Sequence, residues 1–250
     1  MNLSLGARQS DLYGRMLVRR FQALHPLSEA ERDLLLGVGG GPLRRLEPRS
    51  AVTAPSPGAA GSYVITGWLA RYRVLNDGRR QLFGLLLPGD GLDLSPRSIG
   101  WPVAIQALTA VQVADAALVK AFAQRNPESG IAHAMQLAKA EQDAFLLDQI
   151  VRLGRQTALE RLAHLLLELR FRSAATGLVH GETYRIPLTQ ELIGDLLGLS
   201  VVHVNRTMQL LRRDHLINLS HGQMTLLAPE KLAEIAEFQA PRTRWPTADS

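Results

Sequence analysis

Between Ser200 and Arg213 the chain carries His203, Asn205, Arg206, Gln209, Arg212 and Arg213, three of them arginines, and no carboxylate. Side chains of these types offer hydrogen bonds to base edges and positive charge to phosphate oxygens. Their spacing matters as much as their types. Val204, Met208 and Leu211 recur at four- and three-residue intervals as one apolar stripe, with Val201 and Leu210 on its flanks. A helix with that stripe buried turns the polar set outward. Val202 falls on the outward side too, so Val201 and Val202 bring methyl groups to the helix start, and these suit thymine methyls.

The elements that must hold this face can be read just upstream. Thr189 is a good N-cap for a first helix whose Leu192, Ile193, Leu196 and Leu197 fall at helical spacing. Gly198 can take the left-handed conformation that stops it, and Ser200 is placed to cap a second helix over residues 201–213. Two short helices across so tight a turn form a helix-turn-helix. Thr189 and Gln190, at the start of the first helix, would help position the second. Residues 216–219 and 224–227 are short β-type runs around Ser220-His-Gly-Gln223, a hairpin signal. The hairpin makes the motif a winged helix, with His221 at the wing tip near the phosphate backbone. Spacing alone also fits an ordinary helical hairpin with a solvated arginine face; the wing favours DNA.

The run from Leu188 to Arg206, followed by Leu211-Arg-Arg-Asp-His-Leu-Ile217, resembles the DNA-binding domain of the Crp/Fnr family of bacterial transcription regulators. That family opens the motif on leucine-threonine, turns it on leucine-glycine, places valine-x-arginine in the second helix and closes on glycine-leucine-isoleucine. Here these are Leu188-Thr189, Leu197-Gly198, Val204-Asn-Arg206 and His215-Leu-Ile217. The chain departs at Gly194, where the family has alanine, and at His215, where it has glycine. The resemblance implies a sequence-specific regulator binding a pseudo-palindromic operator as a homodimer. Arg206 would be the guanine reader, His203 would contact a base edge or adjacent phosphate, Asn205 would position, and Arg212 and Arg213 would anchor to phosphate. RNA polymerase is an implied partner if the chain activates.

Upstream, apolar residues recur from Ile131 through Met135, Ala138, Phe145, Leu146, Ile150 and Leu153, interrupted by Gln142 and Gln149. A helix of ~25 residues is ~37 Å long, more than one small domain covers. The resemblance makes eight of these residues, all but Ile150, the dimer seam. A second amphipathic helix spans 157–172, with Arg170 and Arg172 expected at a solvated end. Residues 177–185 read as a polar connection leading to Ile186-Pro187.

The N-terminal half reads differently. After a short helical segment, Ser28-Glu-Ala-Glu31 is a capping box for a helix through Leu36, which Gly39-Gly-Gly41 ends. Residues 63–75 and 79–87 read as the two arms of a hairpin around Asn76-Asp-Gly78, ended by Pro88-Gly-Asp90. This resembles the Crp/Fnr β-roll, so the likeness runs over about residues 15–228. Cyclic-nucleotide binders of that fold follow the turn with glycine-glutamate for the ribose, and later arginine-serine or arginine-threonine for the phosphate. Here those positions hold Asp93-Leu94 and Trp101-Pro102, and Arg97-Ser98 lies four residues too early. Tryptophan offers no bidentate charged bond, so cyclic AMP is not expected as effector. The effector is left unidentified.

The fold class expected is α+β, with a jelly-roll-like β-roll, a long dimerisation helix and a winged helix-turn-helix. The divisions fall at 1–41 (N-terminal helices), 42–125 (β-roll), 126–155 (dimer helix), 156–228 (winged helix) and 229–250 (C-terminal helix and disordered tail). With 250 residues, 46% of them hydrophobic, two modest domains can form cores. No run approaches the ~20 apolar residues of a membrane span, and no secretory signal opens the chain, so a cytoplasmic location is expected. Net charge is +5, and 28 cations include only three lysines, Lys120, Lys139 and Lys231. A basic balance favours a polyanion partner. The absence of cysteine excludes a thiolate nucleophile and a cysteine-bound iron–sulfur cluster. The seven histidines include no close pair, none lies in the β-roll, and no nucleophile elbow or phosphate-binding loop is present. No cofactor, metal or catalytic residue is therefore assigned. The alternative left open is a ligand-binding or protein-interaction module whose winged helix docks a protein.

Overall fold

The computed structural model describes residues 2–52, 61–93 and 103–241, with side chains from residue 10 onward. In chain order the elements are α1 (Asn2–Gln22), α2 (Glu29–Gly40), β1 (Leu43–Leu46), β2 (Ser62–Thr66), β3 (Leu69–Val74), β4 (Arg80–Leu86), β5 (Gly91–Leu92), β6 (Ala104–Ala107), β7 (Val111–Asp115) and α3 (Ala117–Arg125). There follow α4 (Gly130–Arg155), α5 (Ala158–Ala174), β8 (Val179–His180), β9 (Thr183–Arg185), α6 (Gln190–Leu197), α7 (Val201–Arg213), β10 (Ile217–Ser220), β11 (Gln223–Leu226) and α8 (Pro229–Ala236). They group into two compact units, the second formed by Ala70–Leu85 and Ala144–Pro241.

In the first unit the order β1-β7-β2-β5 makes an antiparallel sheet, with Leu43 opposite Ala114 and Tyr63 opposite both Ala114 and Gly91. Val64, Leu69, Leu92, Val111 and Val113 are all at most 2% exposed and fill its core. The capping box forms as the sequence requires: Glu31 N–H donates to Ser28 Oγ while Ser28 N–H donates to the Glu31 carboxylate at 2.7 Å. The helix it starts does not stop before Gly39. It runs to Gly40, and α1 lies so close that a Cβ on Gly39 would sit 2.6 Å from the Gly14 Cα. Gly39 serves helix-to-helix approach, and the helix still ends within the glycine run, with Gly41 as its C-cap.

Two further elements were not expected. The arm 63–75 is two strands, broken at Gly67, whose φ of +80° and absent Cβ admit the Ala110 carbonyl. Within the span taken as β-roll, residues 117–125 are the helix α3. The Asn76-Asp-Gly78 turn forms as read, with Leu75 N–H donating to Arg79 O at 2.8 Å.

The second unit is built around α5. Thr157 and Glu160 cap it reciprocally, and Leu162, Ala163, Leu165, Leu166 and Leu169 are at most 1% exposed. Each leucine so buried contributes roughly 1.5–3 kcal/mol. Residues 179–185 are not a polar connection but a short hairpin. It joins the wing in one antiparallel sheet, β10-β11-β9-β8, in which Tyr184 pairs with Met224 and its hydroxyl donates to Leu166 O at 2.7 Å.

Arg172 is likewise not at a solvated end. Its side chain is 7% exposed, pairs with Glu168 at 2.9 Å, donates to Leu85 O at 2.7 Å and lies 4.9 Å over the Phe145 ring. Arg152 meets the other Glu168 oxygen at 2.6 Å. Burial would push the Glu168 carboxyl up, but the two guanidiniums outweigh it and hold the group below its ordinary range. Arg170 pairs with Glu182 at 2.5 Å.

Candidate nucleic-acid interface

Local chemistry fixes each end of the two-helix motif. Thr189 Oγ1 accepts from Leu192 N–H at 3.2 Å, and Ser200 Oγ accepts from His203 N–H at 3.3 Å. Between them Gly198 sits at φ +65° and donates its N–H to Gly194 O. The left-handed backbone is what calls for glycine; a Cβ there would in addition lie a tight 3.2 Å from Leu153 Cδ2. Gly194, where alanine was the family expectation, has its own reason: an added Cβ would lie 2.6 Å from Leu199 O.

The last carbonyls of α6 are each taken by a long side chain from another element. Gln81 of the β3–β4 hairpin donates to Asp195 O at 2.9 Å, Gln149 of α4 to Leu196 O at 2.5 Å, and Arg161 of α5 to Leu197 O at 2.9 Å. Arg80 adds bonds of 2.8 and 2.5 Å to one Asp195 carboxylate oxygen. Helix ends leave such carbonyls orphaned; here they anchor the motif to the body of the unit.

On α7, Val204, Met208 and Leu211 are at most 4% exposed and Thr207 joins them, so the apolar stripe faces inward as read. Outward lie Val201, Val202, His203, Arg206, Gln209, Arg212 and Arg213, with Asn205 half-buried. The polar groups differ in how far they are already engaged. Asn205 Nδ2 donates to Gln190 Oε1 at 3.3 Å, and His203 Nδ1 lies 3.1 Å from Ser200 Oγ. Arg212 donates to Leu219 O at 2.9 Å, which ties the helix to the wing, and Arg213 pairs with Asp214 at 3.0 Å. Arg206 has no hydrogen-bond or ion-pair partner among the described residues. Its guanidinium stands in solvent.

The wing forms in the register Ile217 to Leu226 and Ser220 to Gln223, with His221 and Gly222 at φ 50° and 74° in the tip. His221 Nδ1 lies 2.8 Å from Ser220 Oγ. The α7 exit is kept despite the missing glycine: His215 takes φ 53°, and Leu216 N–H donates to Leu211 O at 2.9 Å. Arg185 was missed in the sequence. It is exposed on β9 opposite Gln223, adding a cation beside the wing, and only the strand pairing reveals it.

The eight residues expected at the dimer seam are differently placed. Ile131, Phe145 and Gln149 are at most 8% exposed, Met135 and Ala138 pack on the first unit's core, and Gln142 and Leu153 are half-buried. Only Leu146 is exposed, at 46%. Most of the apolar stripe is covered by its own chain. The outer face of α4 shows Ile150 of that stripe together with Leu147 and Val151, exposed by 61%, 64% and 51%. The nucleotide-contact positions 94–102 and the tail 242–250 lie outside the described residues. Among those described, no helix is long and apolar enough to cross a membrane.

Residues 160–235 match the family described as the Crp-like helix-turn-helix domain. The chain is 35% identical over 175 residues to the nitrogen fixation regulation protein FixK of Bradyrhizobium diazoefficiens, covering 69% of this chain and 72% of that one. It is 29% identical over 195 residues to the transcriptional activatory protein AadR of Rhodopseudomonas palustris, covering 77% and 80%. Among solved structures it is similar to FixK2 of Bradyrhizobium japonicum, with a TM-score of 0.64, 25% identity and coverage of 78% and 96%. The capped two-helix motif, its wing and these likenesses together make the chain a member of the Crp/Fnr family of DNA-binding transcription regulators.

Proposed function

We propose that the protein acts in the bacterial cytoplasm as a homodimer on a pseudo-palindromic operator, with Arg206 reading guanine in each half-site. The observation that carries this is Arg206 itself: it is exposed and unpartnered on a doubly capped helix, while Arg212 and Arg213 already hold neighbours. Thr189, Gln190, Ser200 and Asn205 set the helix, and His203, Gln209, Arg212, Arg213 and His221 meet the phosphate backbone or adjacent base edges. Leu146, Leu147, Ile150 and Val151 form the seam between copies, since a contiguous apolar patch on a helix gains most by covering itself. RNA polymerase is the further partner where the protein activates. Cyclic AMP is not its effector, because Asp93-Leu94 and Trp101-Pro102 lack the groups that hold ribose and phosphate.

Selection from a random DNA pool, followed by anisotropy titration, tests the proposal. A dimer making 6–10 phosphate contacts should show a log–log salt slope of about −5 to −9. Arg206→Ala should cost about 1–3 kcal/mol and relax one base step, while Arg213→Ala weakens all sequences alike. Absence of both enrichment and salt dependence would overturn the DNA reading. Leu147→Asp with Ile150→Asp should give a monomer by light scattering; a dimer unaffected by the pair would place the seam elsewhere.

A further inference from the structure

The first turn of α7 presents an apolar surface for which the protein itself has no use. Val202 is 67% exposed and Val201 45%, whereas Val204, two residues on, is fully buried. Valine is a poor choice for an exposed helical position, since the helix restricts its χ1 and water gains nothing from its methyls. The polar neighbours are occupied with one another, His203 with Ser200 and Asn205 with Gln190. What remains free at the tip of the motif is two pairs of methyl groups and the Arg206 guanidinium.

We infer that Val201 and Val202 recognise the C5-methyl groups of thymines close to the guanine taken by Arg206, an inference that rests on the DNA-binding reading above. In the major groove the thymine methyl is the one apolar group on a base edge, and cytosine lacks it. Val202 lies three and four residues before Asn205 and Arg206, so the three share a face. At 1.5 Å per residue Val202 is about 6 Å from Arg206 along the axis, roughly two base-pair steps. The thymine therefore lies within about two base pairs of the guanine. Two side chains without donors or acceptors can discriminate by nothing but this methyl. A charged residue at either position would instead choose among hydrogen-bonding edges.

The test removes the methyl from the DNA and leaves the protein intact. With an operator obtained by selection, thymine is replaced by deoxyuracil at the candidate positions and binding is followed by anisotropy. Covering one methyl corresponds to about fourfold in affinity, so the wild type should weaken about fourfold per half-site. Val202→Ala should bind thymine DNA more weakly and lose its sensitivity to uracil, and 5-methylcytosine should bind better than cytosine at the same position. Equal wild-type affinity for thymine and uracil DNA, with Arg206→Ala still impaired, overturns the inference and leaves DNA binding standing. Failure to bind any DNA in a salt-dependent way overturns both. If Val202→Ala changes no DNA affinity but abolishes binding of a protein partner, the valines are a protein contact and the inference is wrong.

Discussion

Replacing Glu168 with glutamine keeps the shape of the side chain and removes the carboxylate that two buried guanidiniums share. Glu168, Arg152 and Arg172 have side chains 5%, 3% and 7% exposed, so water cannot take over the solvation that the carboxylate provides. Arg172 would keep Leu85 O and the Phe145 ring, but Arg152 would lose its only ion-pair partner among the described residues. Breaking a buried pair costs about 3–5 kcal/mol, most of it the penalty of an uncompensated charge. With a urea slope of about 1.5 kcal/mol per M, the midpoint should fall by about 2–3 M. Far-UV circular dichroism during urea titration reads this directly. The comparison is Asp195→Asn, which breaks the bond to Arg80 between side chains about 30% exposed; a pair that wet contributes at most about 1 kcal/mol. Equal losses in the two variants would refute the argument that burial decides, as would a Glu168→Gln loss below about 1 kcal/mol.

His215→Gly should stabilise the second unit by about 1 kcal/mol, seen as a rise of about 2–4 °C in melting temperature, because it relieves a φ of 53°. Gly194→Ala should do the opposite and cost about 1–3 kcal/mol, although alanine is what the family resemblance leads one to expect there, since its methyl meets Leu199 O; a neutral result in the same melt would show that the turn yields. His164 is pushed down to about 4, first by burial and then by the Arg152 charge, so it stays neutral in the fold. The unfolded chain takes a proton near 6.5 that the native one refuses, so stability should fall between pH 6.5 and about 4 and level off below. His164→Leu should flatten that part of the curve, and an unchanged profile would assign the loss to other groups.

How much was legible depended on how far apart the deciding atoms are. Thr189, Gly198 and Ser200 act within four residues of themselves, so their roles could be read in order along the chain and recur in the structure. Arg172 could not, because what buries it is Arg152's partner Glu168 and the carbonyl of Leu85, the latter 87 positions away. The stripe on α4 shows the intermediate case. Periodicity found the apolar residues from Ile131 to Leu153, yet whether an apolar face meets its own chain or another is settled by tertiary packing, which put Phe145 against Phe171 and left Ile150 outside. β8 and β9, of two and three residues, are too short for any alternation to show, and Arg185 gained its place beside the wing only through them.

The three carbonyls before Gly198 carry a consequence for what the motif can tolerate. Each residue added to a helix turns everything beyond it by about 100°. One insertion in α6 would swing the acceptors of Asp195, Leu196 and Leu197 away from Gln81, Gln149 and Arg161 together. The length of the first helix is thus dictated by three fixed donors behind it. A change in register there would unlatch the reading head even if every residue that faces DNA stayed the same.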